Sequence, residues 1–427
     1  MNVEDMIFVS VDDHVVEPPD MFDGRLPAKY IDAAPRVEKT AQGDDVWAFN
    51  GTKIPNIGLN AVAGRPPEEY GIDPTSFEEM RRGCWDVHER VKDMSAGGVL
   101  GSLCFPSFPA FSGRLFANCD DKDLALAVTK AYNDWNIEGW CGAYPDRLIP
   151  MALPIIWDPE LCASEIHRVS AKGCHAMTFT ENPAELGYPS FHDSHWDPMW
   201  RALVDEGMVV NIHLGSSGKL AVTAPDAPMD VMITLQPMNI CMAAADLVWS
   251  RVFKEFRDLR VALSEGGTGW IPYFLDRLDR TYEMHHLWTG QDFGDERPSD
   301  VFRRHILTCF IADPIGVHLR NDIGIDNICW EMDYPHSDSS WPAAPEEFAA
   351  VCAKFDVPDA DIDKMSHQNA MRWYQFDPFA HRARESCTVG ALRAEVAGHD
   401  VSVRSFDTGR REKSKPDLGD MARRATA

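Results

Sequence analysis

The stretch PMWRALVDEGMVVNIHL, residues 198–214, contains one predicted helix and one predicted strand in direct succession. Its first part, Pro198 to Gly207, is a short helical pattern that ends in glycine, a typical helix stop. Its second part, Met208 to Leu214, is an apolar run that is too short for an ordinary helix and contains several β-branched residues, which indicates a buried strand. A helix followed at once by a buried strand is the repeating unit of parallel α/β folds.

The same kind of run recurs along the chain. Eight runs predict strands: Ile7–Val11, Val99–Phe105, Leu148–Ile156, His175–Thr180, Met208–Leu214, Val261–Ser264, Ile306–Ile311 and Asn327–Met332. The clearer helical patterns are Asp121–Gly139, Pro198–Gly207, Ile240–Phe256 and Gly269–His285. Strands that alternate with helices imply parallel βαβ units, and eight of them favour a closed (β/α)8 TIM barrel. A doubly wound open sheet also accommodates this alternation.

Two segments depart from the pattern. Residues 16–83, after the first strand, are rich in proline and glycine and far exceed the about 12–15 residues of a compact loop. We expect this insertion to form a small flap over the strand ends or a subunit contact. Residues 378–427 have few large apolar side chains and cannot build a core. We therefore expect one barrel over residues 1–377 and a C-terminal arm over 378–427, either extended around a neighbouring subunit or disordered.

Composition and charge limit the kinds of partner and the compartment that we expect for this chain. The chain carries 67 acidic and 41 basic residues, a formal net charge of −26, which disfavours nucleic acid as a partner. No stretch approaches the about 20 consecutive apolar residues of a membrane span, and the N-terminus lacks a signal-peptide layout. The 11 cysteines are scattered, as expected for reduced thiols in a cytoplasmic protein. We also expect a homodimer or a higher homo-oligomer, with the insertion and the arm as contacts.

Polar side chains follow several of the predicted strands. Asp12 and His14 follow the first run and, because strand side chains alternate, share one face. His213 lies near the end of the fifth run, Glu265 follows the sixth, and Asp333 follows the eighth. In a barrel the carboxyl ends of the strands meet at one face, where active sites are built. We therefore expect these side chains to face a common site.

Four of these residues are of types that bind divalent cations: Asp12, His14, His213 and Asp333. A catalytic zinc site usually has about three protein ligands and an open position. The four candidates exceed that number of ligands by one, so one of them could act as a base instead. A single histidine at a strand end is more often structural, but the ordered coincidence on three strands indicates a metal site. Zinc is the first candidate for the ion, and manganese is the alternative.

Catalytic and substrate-binding groups are assigned as hypotheses. Asp333 or Glu265 is the candidate general base, and His336 is a candidate to shuttle a proton or to hold a substrate carboxylate. A structural alternative for His336 is a cap on the loop after the last strand. His175 and Trp341 are candidate substrate contacts, the tryptophan as an aromatic wall. Placement at the surface for His175, or in the core for Trp341, is the ordinary alternative.

Several longer segments carry a family resemblance. They are VSVDDHVVEPPDMF (9–22), YNDWNIEGWCGAYPDRLIPMALP (132–154), FHDSHWDPMWRALVDEGMVVNIHLG (191–215), FKEFRDLRVALSEGGTGWIPYFLDRLD (253–279), DNICWEMDYPHSDSSWP (326–342) and NAMRWYQF (369–376). They resemble, in the same order, the branch of the amidohydrolase superfamily typified by amino-carboxymuconate-semialdehyde decarboxylase. That branch also contains aromatic-acid decarboxylases and some C–C bond hydrolases. The resemblance covers most of residues 6–377 and implies the TIM-barrel fold.

The resemblance also implies roles for individual residues. It makes His14, His213 and Asp333 metal ligands, and it places Asp12 where the decarboxylases have the first member of an H-x-H or E-x-H pair. Glu265 stands where their pattern has a histidine that activates metal-bound water, so this site is more acidic.

The resemblance implies a metal-dependent lyase that cleaves a C–C bond of a small aromatic or unsaturated carboxylic acid, as a decarboxylase does. One alternative is a metal-dependent hydrolase that cleaves a C–N or C–C bond with metal-activated water. A second alternative is a metal-free barrel that acts as a binding or scaffold protein. The presence of all four candidate ligands argues against the second alternative.

Overall fold

The computed structural model describes residues 1–55, 57–71 and 74–406. Its strands are β1 (Val9–Val15), β2 (Arg36–Lys39), β3 (Asp45–Phe49), β4 (Thr52–Ile54), β5 (Gly101–Pro106), β6 (Leu148–Ile149), β7 (Ala176–Phe179), β8 (Val209–His213), β9 (Arg260–Ser264), β10 (Ile306–Phe310) and β11 (Ile328–Trp330). All eight predicted strands are present, most within two residues of the predicted bounds. The third is much shorter than predicted, and the first continues to Val15, so Asp12 and His14 lie within β1.

The eight parallel strands form two arcs. One arc has the order β1-β5-β6, and the other runs β7-β8-β9-β10-β11. An isolated parallel bridge between Ala152 and Met177 links the first arc to the second. At the other junction the Asp333 amide donates to the Asp12 carbonyl at 2.8 Å, and the His14 amide donates to the Tyr334 carbonyl at 2.7 Å. The strands therefore enclose a (β/α)8 barrel, as the sequence predicts.

Helices surround the strands. They are α1 (Val87–Ala96), α2 (Arg114–Ala117), α3 (Lys122–Asp134), α4 (Pro159–Ser170), α5 (Asp197–Asp205), α6 (Met229–Leu235), α7 (Met238–Trp249), α8 (Val252–Glu255), α9 (Ile271–Thr289), α10 (Pro298–His305), α11 (Pro314–His318), α12 (Arg320–Ile323), α13 (Ala344–Lys354), α14 (Asp359–Asp363), α15 (Asn369–Tyr374) and α16 (Val389–Glu395). The predicted helix over 240–256 is divided into α7 and α8. The C-terminal end of the predicted helix over 121–139 is a π-helical turn, Trp135–Trp140, that continues α3.

The barrel interior is a buried apolar cluster that most strands share. It includes Val9 and Val11 of β1, Leu103 and Phe105 of β5, Val209 of β8 and Leu307 of β10, and it extends to Trp373 and Tyr374 of α15. Alternate residues of each strand face this interior. Continuing the alternation along β8 and β11 therefore carries the interior face toward His213 and Asp333 at the carboxyl ends.

The insertion after β1 contains a small antiparallel sheet of β2, β3 and β4. The amides of Val62 and Ala63 donate to the Pro335 carbonyl at 2.8 and 2.9 Å. Pro335 belongs to the loop that follows β11, at the carboxyl ends of the strands. The insertion thus lies against the face of the barrel at which the sequence places the site.

Residues 378–395 of the predicted C-terminal arm differ from the expectation of an extended or disordered segment, whereas residues 399–406 have no helix or strand. Residues 378–395 form two short turns and helix α16. Cys387 and Leu392 are buried against Ile7 and Leu100, which lie just before β1 and β5. Three spaced apolar residues (the third is Val389) cannot build a core alone, but they fill an apolar patch that the barrel supplies. The rest of the predicted arm, 407–427, lies outside the described residues.

Within the described residues, one segment is long and apolar enough to cross a membrane by composition. It is Met229–Trp249, with 21 residues, and its most apolar 18-residue window has a mean hydropathy of 1.4 and is 44% buried. The sequence analysis expects no such stretch, because polar residues interrupt this one. In the structure it comprises α6 and α7, and Ile240, Ala244 and Leu247 pack into the main core.

Candidate metal centre

A bulge in β1 places two of the candidate ligands. Ser10 pairs with Ser102 of β5 and Asp13 pairs with Cys104, so three steps along β1 match two along β5. Val9 and Val11 face the interior, and strict alternation would next turn Asp13 inward. The extra residue shifts the pattern, because a bulge re-aims the side chains that follow it. Asp12 and His14 consequently join the interior cluster, while Asp13 accepts hydrogen bonds from Ser102 Oγ and, at 3.0 Å, from the Tyr334 amide.

The structure brings the predicted ligands together at the mouth of the barrel. His14 Nε2 lies 3.1 Å from Asp333 Oδ1 and 3.5 Å from Asp12 Oδ1. His213 Nε2 lies 3.5 Å from Asp12 Oδ2 and 3.2 Å from Glu265 Oε2. The two Nε2 atoms are 3.2 Å apart. Asp12, His14, His213 and Asp333 are all buried, whereas Glu265 retains 17% exposure of its side chain.

His336 completes the cluster from the loop after β11. Its Nδ1 lies 2.9 Å from Asp333 Oδ1, and its ring stacks on that of His14 with centroids 3.7 Å apart. His336 is 8% exposed. Together, the groups Asp12–His14–His213 and His14–Asp333–His336 each place their ligand atoms within 4.8 Å of one another. The two groups share His14, so one compact centre holds all five side chains.

Two residues of the centre have an unusual backbone. Glu265 has φ of 58° and Asp333 has φ of 54°, both in the left-handed region. A carboxylate residue adopts this region only where the surrounding structure holds it, and such residues are enriched at functional sites. The Glu265 amide donates to Glu331 Oε2 at 3.3 Å, and the Asp333 amide donates to the Asp12 carbonyl at 2.8 Å. These bonds fix the backbone that aims both carboxylates into the centre.

Burial and mutual repulsion perturb the charges of the centre. Burial raises the pKa of Asp12 well above its usual value, and the neighbouring carboxylates of Glu331 and Asp333 raise it further. Burial also raises the pKa of Glu265. For Asp333, burial alone would raise the pKa, but the nearby His336 and His14 imidazoles hold it below its usual value. Asp12 and Glu265 thus lie at positions that disfavour their negative charge unless a cation is present.

The hydrogen-bonding pattern provides a test of whether a cation fits. His213 Nδ1–H donates to the Leu214 carbonyl at 2.6 Å, which leaves Nε2 of the neutral ring with its lone pair toward the centre. Both carboxylate oxygens of Asp12 and both of Asp333 are buried without a hydrogen-bond donor. Buried acceptors that converge without donors are costly, whereas imidazole nitrogen and carboxylate oxygen are ligands of zinc and manganese. These residues therefore fit a divalent cation.

Two predicted substrate contacts lie away from this centre. His175 directly precedes β7, at the amino end of the strand, where Gln375 Nε2 lies 3.4 Å from its Nδ1. The sequence assignment of His175 to the pocket is therefore not supported, because it stands at the wrong end of its strand. Trp341 is 7% exposed and donates from Nε1 to the Asp93 carbonyl at 2.8 Å. It packs beside α1 and does not contact the histidine and carboxylate cluster.

Two residues without an assigned role in the sequence analysis belong to the centre. Phe111, in the loop after β5, places its ring centroid 4.1 Å from that of His213 and 5.3 Å from that of His14. No sequence pattern marks it. Glu331 is buried, and one of its carboxylate oxygens lacks a hydrogen-bond partner. Its spacing of two from Asp333 is the signal that could have identified it, since residues i and i+2 of a strand share a face.

Comparisons with known proteins agree with this description. The family model described as amidohydrolase matches residues 25–376. A comparison with curated proteins finds no match. Among solved structures, an amidohydrolase from Mycobacterium avium subsp. paratuberculosis has 20% identity and a TM-score of 0.66, covering 86% of this chain and 99% of its own.

Two further similar structures are aromatic-acid decarboxylases. A 5-carboxyvanillate decarboxylase from Novosphingobium aromaticivorans, with bound manganese and 3-methoxy-4-hydroxy-5-nitrobenzoic acid, has 18% identity and a TM-score of 0.60, covering 88% of this chain and 99% of its own. The 2,6-dihydroxybenzoate decarboxylase from Rhizobium has 17% identity and a TM-score of 0.58, covering 87% and 100%. At these identities the similarities establish the fold alone.

Proposed function

This chain belongs to the amidohydrolase family and is a metal-dependent decarboxylase or hydrolase of that family, and from this premise we propose that it decarboxylates a small aromatic or unsaturated carboxylic acid. The observation that carries the proposal is the set of buried carboxylate oxygens of Asp12 and Asp333, which have no hydrogen-bond donor and converge with the Nε2 atoms of His14 and His213. The aromatic-acid decarboxylases of the same fold support the substrate class.

We propose that His14, His213 and Asp333 hold the ion, with Asp12 as a further ligand. Zinc is our first candidate, because imidazole nitrogen suits it, and the carboxylates of the set make manganese the alternative. When bound, a divalent ion supplies positive charge that polarises a substrate oxygen. His213 is oriented for this task by its hydrogen bond to the Leu214 carbonyl.

The remaining side chains of the centre suit the proton handling of a decarboxylation. When the bond between the carboxyl group and the substrate carbon breaks, CO2 leaves and its electron pair stays on that carbon, where a proton must be added. Glu265 and His336 are the partly exposed members of the cluster, and their side chains face the mouth of the barrel. We assign them to holding that proton or the substrate carboxylate. Asp333, whose Oδ1 lies 2.9 Å from His336 Nδ1, is the candidate base of the hydrolytic alternative.

An aromatic surface beside the cluster supports the substrate class. Phe111 is half-buried, and its ring lies against the rings of both His14 and His213. Phe105 packs next to His213 with centroids 4.8 Å apart. Aromatic rings prefer such offset or edge-on contacts. A planar, unsaturated acid could therefore lie against Phe111 with its carboxylate directed toward the histidines.

Product analysis tests the reaction. We expect the enzyme, reconstituted with Zn²⁺ or Mn²⁺, to release CO2 from at least one acid in a panel that includes 5-carboxyvanillate and 2,6-dihydroxybenzoate. Mass spectrometry in H₂¹⁸O distinguishes the two reactions, since decarboxylation removes the mass of CO2 and hydrolysis adds labelled oxygen. Labelled product would favour the hydrolase alternative. No product from any acid, with metal bound, would contradict the proposed substrate class.

We also propose that the protein is a cytoplasmic homo-oligomer, a dimer first, that acts on a small molecule and not on nucleic acid or a membrane. Each of the eleven cysteines is a free thiol, as a reducing compartment requires. Two copies that each carry a formal charge of −26 repel each other, so apolar side chains are expected in their contact. Helix α9 offers exposed apolar side chains among its charged ones, because Tyr273, Met284, Leu287 and Trp288 are between 54% and 90% exposed.

A charge placed on this face tests the oligomer. We expect wild type to have the native mass of two or more chains, and Leu287→Glu to shift the population toward one chain by native mass spectrometry. Asp205→Lys, a charge change at an exposed position at the end of α5, outside this face, is the control and should leave the mass unchanged. A wild type with the mass of a single chain would contradict the oligomer.

A further inference from the structure

A second buried polar cluster surrounds Asp93 of α1, outside the candidate metal centre. Asp93 is 2% exposed, and its carboxylate accepts hydrogen bonds from three side chains. Arg81 donates from Nη2 to Oδ1 at 2.7 Å and from Nε to Oδ2 at 3.3 Å. The Tyr334 hydroxyl donates to Oδ2 at 2.6 Å, and His399 Nε2–H donates to Oδ1 at 2.7 Å. A buried carboxylate saturated in this way is rigidly held.

Tyr334 connects this cluster to the metal centre. It directly follows Asp333 in the chain. Its amide donates to Asp13 Oδ1 at 3.0 Å, and its carbonyl accepts from the His14 amide at 2.7 Å. Tyr334 is 1% exposed. Its backbone is therefore fixed beside two candidate ligands while its hydroxyl is fixed by Asp93.

The surroundings of Tyr334 leave little freedom for the ring. The Arg90 guanidinium lies over the ring, 4.5 Å from its centroid, and the Trp341 ring meets it edge-on at 5.7 Å. A Cβ atom added at Gly83 would lie 2.9 Å from the Tyr334 hydroxyl and 2.1 Å from Asp93 Oδ2. In such dense packing, a displacement of Asp93 is transmitted to Tyr334.

The C-terminal segment supplies part of this cluster from outside the family match, which ends at residue 376. His399 contacts Asp93, and the Asp400 carbonyl accepts from Arg81 Nη2 at 2.7 Å. Further along, the Arg404 amide donates to the Gly64 carbonyl at 2.9 Å. Gly64 belongs to the insertion after β1. The segment thus passes from α16 across Asp93 to the insertion.

We propose that His399 is a positioning residue for the metal centre: by fixing Asp93 it holds the Tyr334 hydroxyl, and through Tyr334 the left-handed backbone that aims Asp333. The inference rests on the proposed function, since it takes Asp333 to be a metal ligand. His399 is more than 60 residues from Asp333 in the sequence, and within the described residues it is connected to the centre through Asp93 and Tyr334. A backbone in the left-handed region persists only where its neighbours hold it. We assign this role for Asp333 to His399, Asp93 and Tyr334.

The expected loss of metal affinity can be estimated from other metal sites, in which residues that hydrogen-bond to a metal ligand have been replaced. Replacing a residue that orients a ligand typically weakens metal binding about 10- to 100-fold. Tyr334→Phe, which removes the hydroxyl, should therefore raise the dissociation constant for Mn²⁺ about 10-fold. His399→Ala acts one hydrogen bond further from the centre, and we expect it to raise the dissociation constant for Mn²⁺ about 5-fold. His399→Gln keeps an N–H donor near the Nε2 position and should restore most of the affinity.

Isothermal titration of the full chain with Mn²⁺ at 25 °C tests the coupling. His381→Ala, at an exposed histidine of the same segment, is the matched control and should bind Mn²⁺ as wild type does. In the Tyr334→Phe background, His399→Ala should have no further effect, because the link between the two residues is already broken. A purely structural histidine would lower the melting temperature without changing the Mn²⁺ affinity. That result, or equal losses in both backgrounds, would overturn the inference.

A metal-independent measurement separates this inference from the proposed function. Hydrogen–deuterium exchange of peptides covering residues 331–341 should become faster in His399→Ala and remain at the wild-type rate in His381→Ala. If wild type binds neither Mn²⁺ nor Zn²⁺ but this exchange changes as expected, the proposed function fails while the positioning by His399 stands. If wild type binds Mn²⁺ and the exchange is unchanged, the positioning by His399 fails alone.

Discussion

The His213→Ala variant is expected to lose the metal that the wild type carries. Wild type purified without added metal should contain about one zinc or manganese ion per chain, because a site of this type needs about three ligands. Removal of His213 deletes the nitrogen that faces Asp12 Oδ2 and Glu265 Oε2. Replacing a residue that only orients a ligand typically weakens metal binding about 10- to 100-fold. Removing the ligand itself should therefore weaken metal binding more than about 100-fold. Elemental analysis of both proteins measures the difference directly.

His305 provides the matched control for this experiment. Like His213, it is fully buried, its Nδ1 donates to a backbone carbonyl (that of Leu259, at 2.7 Å), and burial lowers its pKa to about 4. It stacks on Phe253 instead of facing carboxylates. His305→Ala should lower the melting temperature and retain the ion. No metal in wild type, even after reconstitution, would favour a barrel-shaped binding protein over an enzyme.

The second large effect is expected at Asp333. Asp333→Asn keeps the shape of the side chain but removes the charge that faces His14 Nε2 at 3.1 Å and His336 Nδ1 at 2.9 Å. Loss of a group that orients or accepts a proton typically costs about 10²- to 10⁴-fold in rate. We expect a fall of that size in kcat for the best acid of the panel. Metal content is measured on the same sample, so that a loss of bound metal is distinguished from a loss of proton transfer.

Asp205, at the C-terminal end of α5, is the control for the charge change. It is exposed and lies beside the amino end of β8, away from the centre, so Asp205→Asn should leave kcat within about threefold of wild type. An Asp333→Asn enzyme with full metal content and an unchanged kcat would remove Asp333 from both the ligand set and the catalytic set. Glu265 would then become the remaining carboxylate candidate.

The strands and the candidate ligands could be predicted because they depend on short-range patterns. Apolar runs of strand length marked all eight strands, and the residues at their carboxyl ends follow from the geometry of a parallel barrel. Phe111 could not be predicted, since it lies in a loop whose path depends on the whole fold. His175 lies away from the centre because a histidine bordering a strand contributes to the site at the carboxyl end, and this one precedes Ala176.

The C-terminal segment shows a different limit of sequence patterns. Residues 378–406 have too few apolar side chains to fold alone, so composition predicts an extended or disordered arm. Their partners, such as Ile7 and Leu100, lie hundreds of residues away in the sequence. Burial of a few side chains in a patch supplied by another part of the chain leaves no local signature.

The bulge in β1 means that the strand has one more residue than regular pairing with β5 requires. Val11 and Asp12 both lie opposite Leu103, between the pairs Ser10–Ser102 and Asp13–Cys104. Removing Val11 would restore strict alternation, which from Val9 onward places Asp12 and His14 inward and Asp13 outward. Among related chains, a one-residue gap at Val11 is therefore compatible with an intact centre, whereas a gap between Asp12 and His14 would turn one of these two ligands outward.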